Sequence, residues 1–463
     1  MNTLFWFRRD LRLFSNEALI EALNNGAKQA IFFICEKQWQ QHNAAPIQID
    51  LLKRRLNYIR EQLAQYAIEL HIFDAPYFDD CESALLSFCD KHQVKHVIAN
   101  KEYELNEVNR DAQILAKCDD KNITFTLYEG DVIAPVGSVK NQSNEMYKVF
   151  TPFKKQWLKQ HQDTHFSLLP WPLKKQPINN NAQAIKSDGS SEKWPVDDES
   201  LATIVDNFIC DKLSSYDDQR DIPSIKGTSG LSPYLALGII SPKQLLVNIQ
   251  NRYPDILTIS KSKTFTWVNE LIWREFYRHL IAQFPKLSRG DNFNEKYNGV
   301  KWRKNEAEFK AWCEGKTGYP LVDAAMRQLV QTGWMHNRLR MVVASFLTKH
   351  LLIDWREGEQ FFMQHLIDGD LASNNGGWQW AASTGCDAQP YFRVFNPITQ
   401  SERFDPNGKF IRKYLPELEK VPDKHIHFPH AYLASIVADK QCYWPAIVDH
   451  KAARERAIAA FKG

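Results

Sequence analysis

The chain has 463 residues, 44% hydrophobic, 24% charged and 12% aromatic, enough to bury more than one sizeable core. A mean hydropathy of −0.46, with no apolar run near the roughly 18 residues a membrane span needs, excludes an integral membrane protein and a largely disordered chain. Lys and Arg number 58 against 55 Asp and Glu, a net charge of +3 that neither demands nor excludes nucleic acid, because phosphate binding needs only a local basic face.

The first ten residues read as a strand running into Arg8, Arg9 and Asp10 and lack the features of a secretory leader, so a cytoplasmic location is expected. Through residue 130, apolar runs at 4–7, 30–35, 69–73, 95–99 and 123–127 alternate with helical patterns such as Leu52, Leu56, Ile59 and Leu63. That rhythm predicts a doubly wound parallel sheet, an α/β domain over 1–135. No glycine-rich fingerprint follows the first strand, so a dinucleotide site of the usual kind is not supported. Between 136 and 200 the periodicity weakens and Pro170, Pro172, Pro177, the run Asn179-Asn180-Asn181, Gly189, Ser190 and Ser191 collect, which predicts a long connection. Beyond it, 201–463 reads as all-α, with helix starts at Ser232 before Pro233 and at Ser241 before Pro242, where Gln244 completes a capping box.

Eight cysteines (Cys35, Cys81, Cys89, Cys118, Cys210, Cys313, Cys386, Cys442) are scattered without a metal-binding spacing, and no metal is expected. Tryptophan is the unusual feature, since eight of 14 lie between 267 and 380. The segment 227–233 combines two hydroxyls, two glycines and a helix start, able to cradle a diphosphate, although taken alone a capped Gly-Ser loop is the better account of it. Gly315-Lys316-Thr317 lacks the upstream glycine and strand of a P-loop. On a helix over 267–280, Glu270, Trp273, Arg274 and Tyr277 share one side, which a Glu270–Arg274 surface pair beside an aromatic stripe would also explain. A second helix, starting near His336, spaces Asn337, Met341 and Ser345 by full turns. The run 368–380 holds two acids, three amides, three glycines and two tryptophans, a poor core element but a good lining for a polar heteroaromatic ligand.

Taken together, LFWFRRDLRL at 4–13, NEMYKVFTPF at 144–153, SYDDQRDIP at 215–223, WVNELIWREFYRHL at 267–280, TGWMHNRLRM at 332–341, LLIDWREGE at 351–359 and DGDLASNNGGWQWAASTG at 368–385 resemble the photolyase/cryptochrome family. The order and spacing of these strings resemble most its bacterial class I cyclobutane pyrimidine dimer photolyases, nearly end to end.

The resemblance implies an antenna-binding α/β domain and a helical domain that binds FAD, active as fully reduced FADH⁻. It places Tyr216, Thr228, Ser229, Leu231 and Ser232 at the flavin diphosphate, and Trp267, Asp368, Gly369 and Asp370 in the rest of the cofactor pocket. Arg340 lies near the flavin and Asn374 faces its N5. Glu270, Trp273, Asn337, Arg338, Met341 and Trp380 line the dimer pocket, while Arg220, Arg338, Arg393 and Gln400 touch DNA. Trp302, Trp355 and Trp378 match the tryptophan chain that photoreduces the flavin. The implied activity is blue-light repair of pyrimidine dimers in ultraviolet-damaged DNA by a monomer with no membrane partner, the dimer being flipped out of the duplex as photolyases require. A cryptochrome-type photoreceptor is the alternative. Position 230 is Gly where close relatives often have Arg. Asn106 and Glu107 match an antenna pair for methenyltetrahydrofolate, but Ser288 and Arg289 replace Cys-Lys, so a deazaflavin or an empty site stays open.

Overall fold

In a parallel sheet both faces are covered by helices, so its strands are apolar on both sides rather than alternating. The five apolar runs become such a sheet, β1 Thr3–Trp6, β2 Gln29–Ile34, β3 Glu69–Asp74, β4 His96–Asn100 and β5 Thr124–Tyr128, in the order β3-β2-β1-β4-β5. Leu4 lies opposite Gln29 on one side and Val97 on the other. All four residues of β1 are buried, and Leu4, Trp6, Ile31, Phe33, Val97 and Ala99 share one core with Leu85, Cys89 and Ile114 of the covering helices. This computed structural model describes residues 2–179, 182–436 and 443–462, so Met1, Asn180, Asn181 and Cys442 lie outside the described residues.

The chain divides into two units, and the first is discontinuous: 1–214, 229–288 and 368–372. What draws the later pieces into it is buried charge. Glu275, on the helix Phe265–Gln283, accepts from Trp157 Nε1 at 2.7 Å and from the backbone N–H groups of Ile133 and Ala134. Burial pushes its carboxyl up to about 7. Arg278 of the same helix reaches Asp131 (Nε to Oδ2, 2.6 Å), Asp370 and, at 3.5 Å, Glu104. Arg274 pairs with Asp131.

The stretch 136–200 is not uniformly irregular. It contains the helix Phe150–His161, whose Phe153 and Trp157 are fully buried. Farther along, the chain is held by side chains rather than by regular structure. Asp50 accepts from Ser187 Oγ at 2.6 Å and from the backbone N–H groups of Asp188, Gly189 and Ser191, while Arg54 and Arg55 donate to the carbonyls of Ser191 and Val196. These bonds outweigh burial and hold the Asp50 carboxyl well below the usual carboxylate range.

The second unit comprises 215–228, 289–367 and 373–463 and is helical. Its core gathers Trp312, Val322, Met326, Leu339, Val343, Phe346, Trp355, Phe362, Trp378 and Ile411. The helix Asn337–Ser345 is capped by His336, whose Nδ1 accepts from Arg338 N at 3.2 Å, and Trp355–His365 by Asp354, which accepts from Arg356 N at 3.1 Å. Ser241 caps its helix through Gln244 N as the sequence predicts, but Ser232 is the first residue of a five-residue helix whose cap position is Leu231. Among the described residues, no helix is long and apolar enough to cross a membrane.

Candidate functional site

In the first unit, the helix Phe265–Gln283 presents half-buried Glu270 and Trp273 one turn apart, with Trp267 buried against Phe208 at 5.1 Å. Phe150 lies flat on Trp273, 3.6 Å between centroids and 9° between planes, and Phe276 and Tyr277 brace its edge. One indole face is thus fixed from behind, which makes the ring a rigid platform for stacking. The Asp368-Gly369-Asp370 segment is pinned from two sides: Gln48 Nε2 donates to Gly369 O at 2.7 Å and Arg278 pairs with Asp370. At 229–231 the backbone turns through Gly230 (φ +69°), Ser229 Oγ accepts from Leu231 N at 3.3 Å, and a Cβ on Gly230 would meet nothing within 4 Å. An open left-handed turn of this kind suits a diphosphate, so these residues fit the flavin that the sequence implies.

In the second unit, Asn337 is exposed and Arg338, Arg340 and Met341 half-buried on one short helix. Arg338 pairs with Asp221 at 2.6 Å and lies 4.4 Å over Phe404, and Arg340 Nε donates to Met335 O at 2.8 Å. Burial pushes the neighbouring His336 down to about 4, so it is neutral. Tyr216 is buried with the Arg220 guanidinium 5.4 Å over its ring. The 368–380 stretch, read from sequence as a lining rather than a core element, enters the helix Leu371–Ala382, with Trp378 in the core and Trp380 half-buried 6.4 Å from Phe395. Its polar residues are tied inward: Asn374 Nδ2 donates to Glu359 O at 3.0 Å and Asn375 Nδ2 to Glu359 Oε1 at 2.9 Å. With its amide nitrogen so committed, Asn374 offers its carbonyl oxygen, an acceptor suited to a flavin N–H.

Trp355 is fully buried and donates from Nε1 to Asn292 Oδ1 at 3.0 Å. Three residues along, Gly358 leaves room for the Trp378 ring, which a Cβ there would strike at 2.1 Å. Trp378 therefore packs on the helix that begins with Trp355, while Trp302 is half-buried edge-on to Phe461 at 5.8 Å.

Residues 3–174 match the family model described as DNA photolyase, and residues 267–463 match the FAD binding domain of DNA photolyase. The deoxyribodipyrimidine photo-lyase of Vibrio cholerae serotype O1 is 44% identical, with 99% of each chain covered. The chain belongs to the photolyase/cryptochrome family. Among solved members, a bacterial class III photolyase from Agrobacterium tumefaciens superimposes with a TM-score of 0.87 at 34% identity, covering 100% of this chain and 97% of that one. A Synechocystis cryptochrome does so with 0.84 at 26% identity, covering 99% of each.

Against this family background, the structure places Ser229, Leu231, Ser232, Trp267, Glu270, Trp273 and 368–370 in the first unit and Tyr216, Thr228, Arg340 and Asn374 in the second. Also in the second are Asn337, Arg338, Met341, Trp380, Trp302, Trp355, Trp378, Arg220, exposed Arg393 and half-buried Gln400. Arg274, which the spacing allows to pair with Glu270, pairs with Asp131, a partner no helical spacing announces. Sequence reading missed Phe150 beneath Trp273, the Arg278 hub, and Glu359 behind the two asparagines. All three fall inside the quoted strings, which was the one signal that could have found them. Of the two residues expected at an antenna, Asn106 has its Nδ2 2.8 Å from His42 Nε2, and Glu107 is buried. Burial and neighbouring Glu104 push the Glu107 carboxyl up to about 8, which keeps it a proton donor at neutral pH.

Proposed function

We propose that the chain repairs ultraviolet-damaged DNA as a light-dependent carbon–carbon lyase, splitting cyclobutane pyrimidine dimers flipped from single- or double-stranded DNA. The observation that carries this reading is Trp273, half-buried and backed ring on ring by Phe150 one turn from the Glu270 carboxyl. A flipped dimer needs an aromatic surface to replace lost stacking and polar groups for its base edges. Trp273 and Trp380 supply the surfaces, and Glu270, Asn337 and Arg338 the hydrogen bonds, with Met341 completing the wall. Arg220, Arg393 and Gln400 contact the DNA backbone, a contribution that weakens as salt rises.

FAD is held by Tyr216, Thr228, Ser229, Leu231, Ser232, Trp267, Arg340 and 368–370, with the Asn374 carbonyl as an acceptor from the reduced ring. When bound, FAD would supply a photoexcited electron for breaking the two carbon–carbon bonds, returned afterwards with no net oxidation. Trp302, Trp355 and Trp378, in that order, pass electrons inward from the surface end, Trp378 being the first donor to the flavin. The class I assignment rests on the seven sequence strings, and a methenyltetrahydrofolate antenna on the match at Asn106 and Glu107, with a deazaflavin or an empty site as the alternatives. The 1–135, 136–200 and 201–463 division, a cytoplasmic location and a monomeric state complete the proposal. Incubated with an oligonucleotide carrying dimers, the purified protein restores the bases under blue light and not in darkness. Damage persisting in both would overturn the reading in favour of a photoreceptor.

A further inference from the structure

We propose that Glu359 is the positioning residue of the flavin site, aiming the Asn374 side chain through its backbone carbonyl and coupling flavin reduction to pH through its carboxyl. The inference rests on the FAD reading above, and no functional assignment in the sequence touches this residue. Three bonds fix the arrangement. Glu359 O accepts from Asn374 Nδ2 at 3.0 Å, and Glu359 Oε1 accepts from Asn375 Nδ2 at 2.9 Å. Asn375 cannot turn over, because its Oδ1 accepts from Gln379 Nε2 at 2.9 Å. Gln379 is itself locked, its Oε1 accepting from Phe293 N at 2.9 Å and its Nε2 donating to Asp291 O at 3.2 Å. Asn375 and Gln379 are 3% and 2% exposed, so misorientation of either would strand buried polar atoms. One rigid relay of amides therefore ends on the Glu359 carboxyl, and the same residue's carbonyl dictates which end of Asn374 is offered to a ligand.

The carboxyl sits where its ionisation matters. Its surroundings push it up to about 7, burial first, with Asp354 acting in the same sense, while Asn375 and Arg356 pull the other way. Asp354 caps its own helix and Arg356 lies in it, and the neighbouring helix Leu371–Ala382 faces it with the amides of Asn374 and Asn375. Below that pH the group is neutral. Above it, a negative charge appears directly behind the asparagine pair, and a negative charge disfavours adding electrons to a nearby ring.

The test uses the FAD-loaded protein, with bound flavin established first from its absorbance, and follows the flavin midpoint potential by reductive titration across a range centred on pH 7. The wild-type potential shifts downward above about pH 7 relative to Glu359→Gln, and the two coincide at acid pH. In Asn375→Ala, loss of the donated hydrogen bond moves the bend to higher pH. Infrared difference spectra of the wild type show a protonated-carboxyl band that fades through the same pH and is missing in Glu359→Gln. Superimposable potential curves in wild type and Glu359→Gln, or a bend unmoved in Asn375→Ala, would overturn the proposal. Failure of dimer repair with these potentials as expected would instead count against the repair reading alone.

Discussion

Gly358 is the point at which packing and the proposed electron path meet, and replacing it by alanine separates the two. A methyl group there lies 2.1 Å from Trp378 Cη2, 2.5 Å from Cζ3 and 2.6 Å from Leu347 Cδ2. Trp378 is 2% and Leu347 0% exposed, so neither can retreat into solvent. Exchanging Gly for Ala in an unconstrained helix gains about 1 kcal/mol. Overpacking a filled core costs about 1–3 kcal/mol, and three contacts this short place Gly358→Ala near the top of that range. The net expectation is a loss of about 2 kcal/mol, read as a lower urea midpoint at unchanged slope. Because the indole must shift to admit the methyl, light-driven reduction of oxidised flavin slows, while repair by chemically reduced protein is preserved. A Gly358→Ala protein at least as stable as wild type would refute the packing argument. Normal photoreduction despite lost stability would show that Trp378 is not the first donor.

Trp378→Phe should abolish photoreduction outright yet leave repair by chemically reduced protein largely intact, a comparison made by absorbance under steady blue light. Arg278→Met should cost about 3–5 kcal/mol in denaturant unfolding, since it leaves the buried carboxylates of Asp370 and Glu104 and the half-buried one of Asp131 without their shared cation. A loss under about 1 kcal/mol would show that those acids find other partners or protonate without penalty. His336 is held at about 4 by burial, so the folded state binds fewer protons than the unfolded one between there and the ordinary imidazole range. Its contribution is present above about pH 6.5 and lost as pH falls toward 4, at about 1.4 kcal/mol per pH unit. Wild type should therefore lose stability on acidification relative to His336→Asn, which can still cap the helix, and parallel stability curves would count against a neutral His336.

The sheet was legible because its strands carry their own signature: β1, buried along its whole length, reads as a continuous apolar run. The helix Phe265–Gln283 was legible for the corresponding reason, its aromatic stripe recurring at helical spacing, although its ends fell two or three residues beyond the expected ones. Two things were not. Asp131 and Asp370 share one arginine across 239 positions, and no local pattern announces a pairing at that distance. The helix Leu371–Ala382 was obscured by its own composition. Two glycines and several amides argue against a buried helix until Glu359 and Asp291 are seen to satisfy the amides, and both lie in other parts of the chain. The Ser232 cap failed because a serine before proline can start a short helix from inside as well as flank it.

The discontinuity of the first unit bears on how the polypeptide is made. The sheet and Asp131 leave the ribosome long before Arg278 and the segment around Asp370 exist, and at roughly 5–20 residues per second the wait for residue 370 is on the order of 10–50 s. Until residue 278 is made, Trp157 lacks its Glu275 acceptor and Asp131 its guanidinium partners, and until residue 370 is made Arg278 lacks Asp370, so the nascent sheet domain is incomplete. Its final consolidation therefore comes late in synthesis, a window in which holdase chaperones have a client.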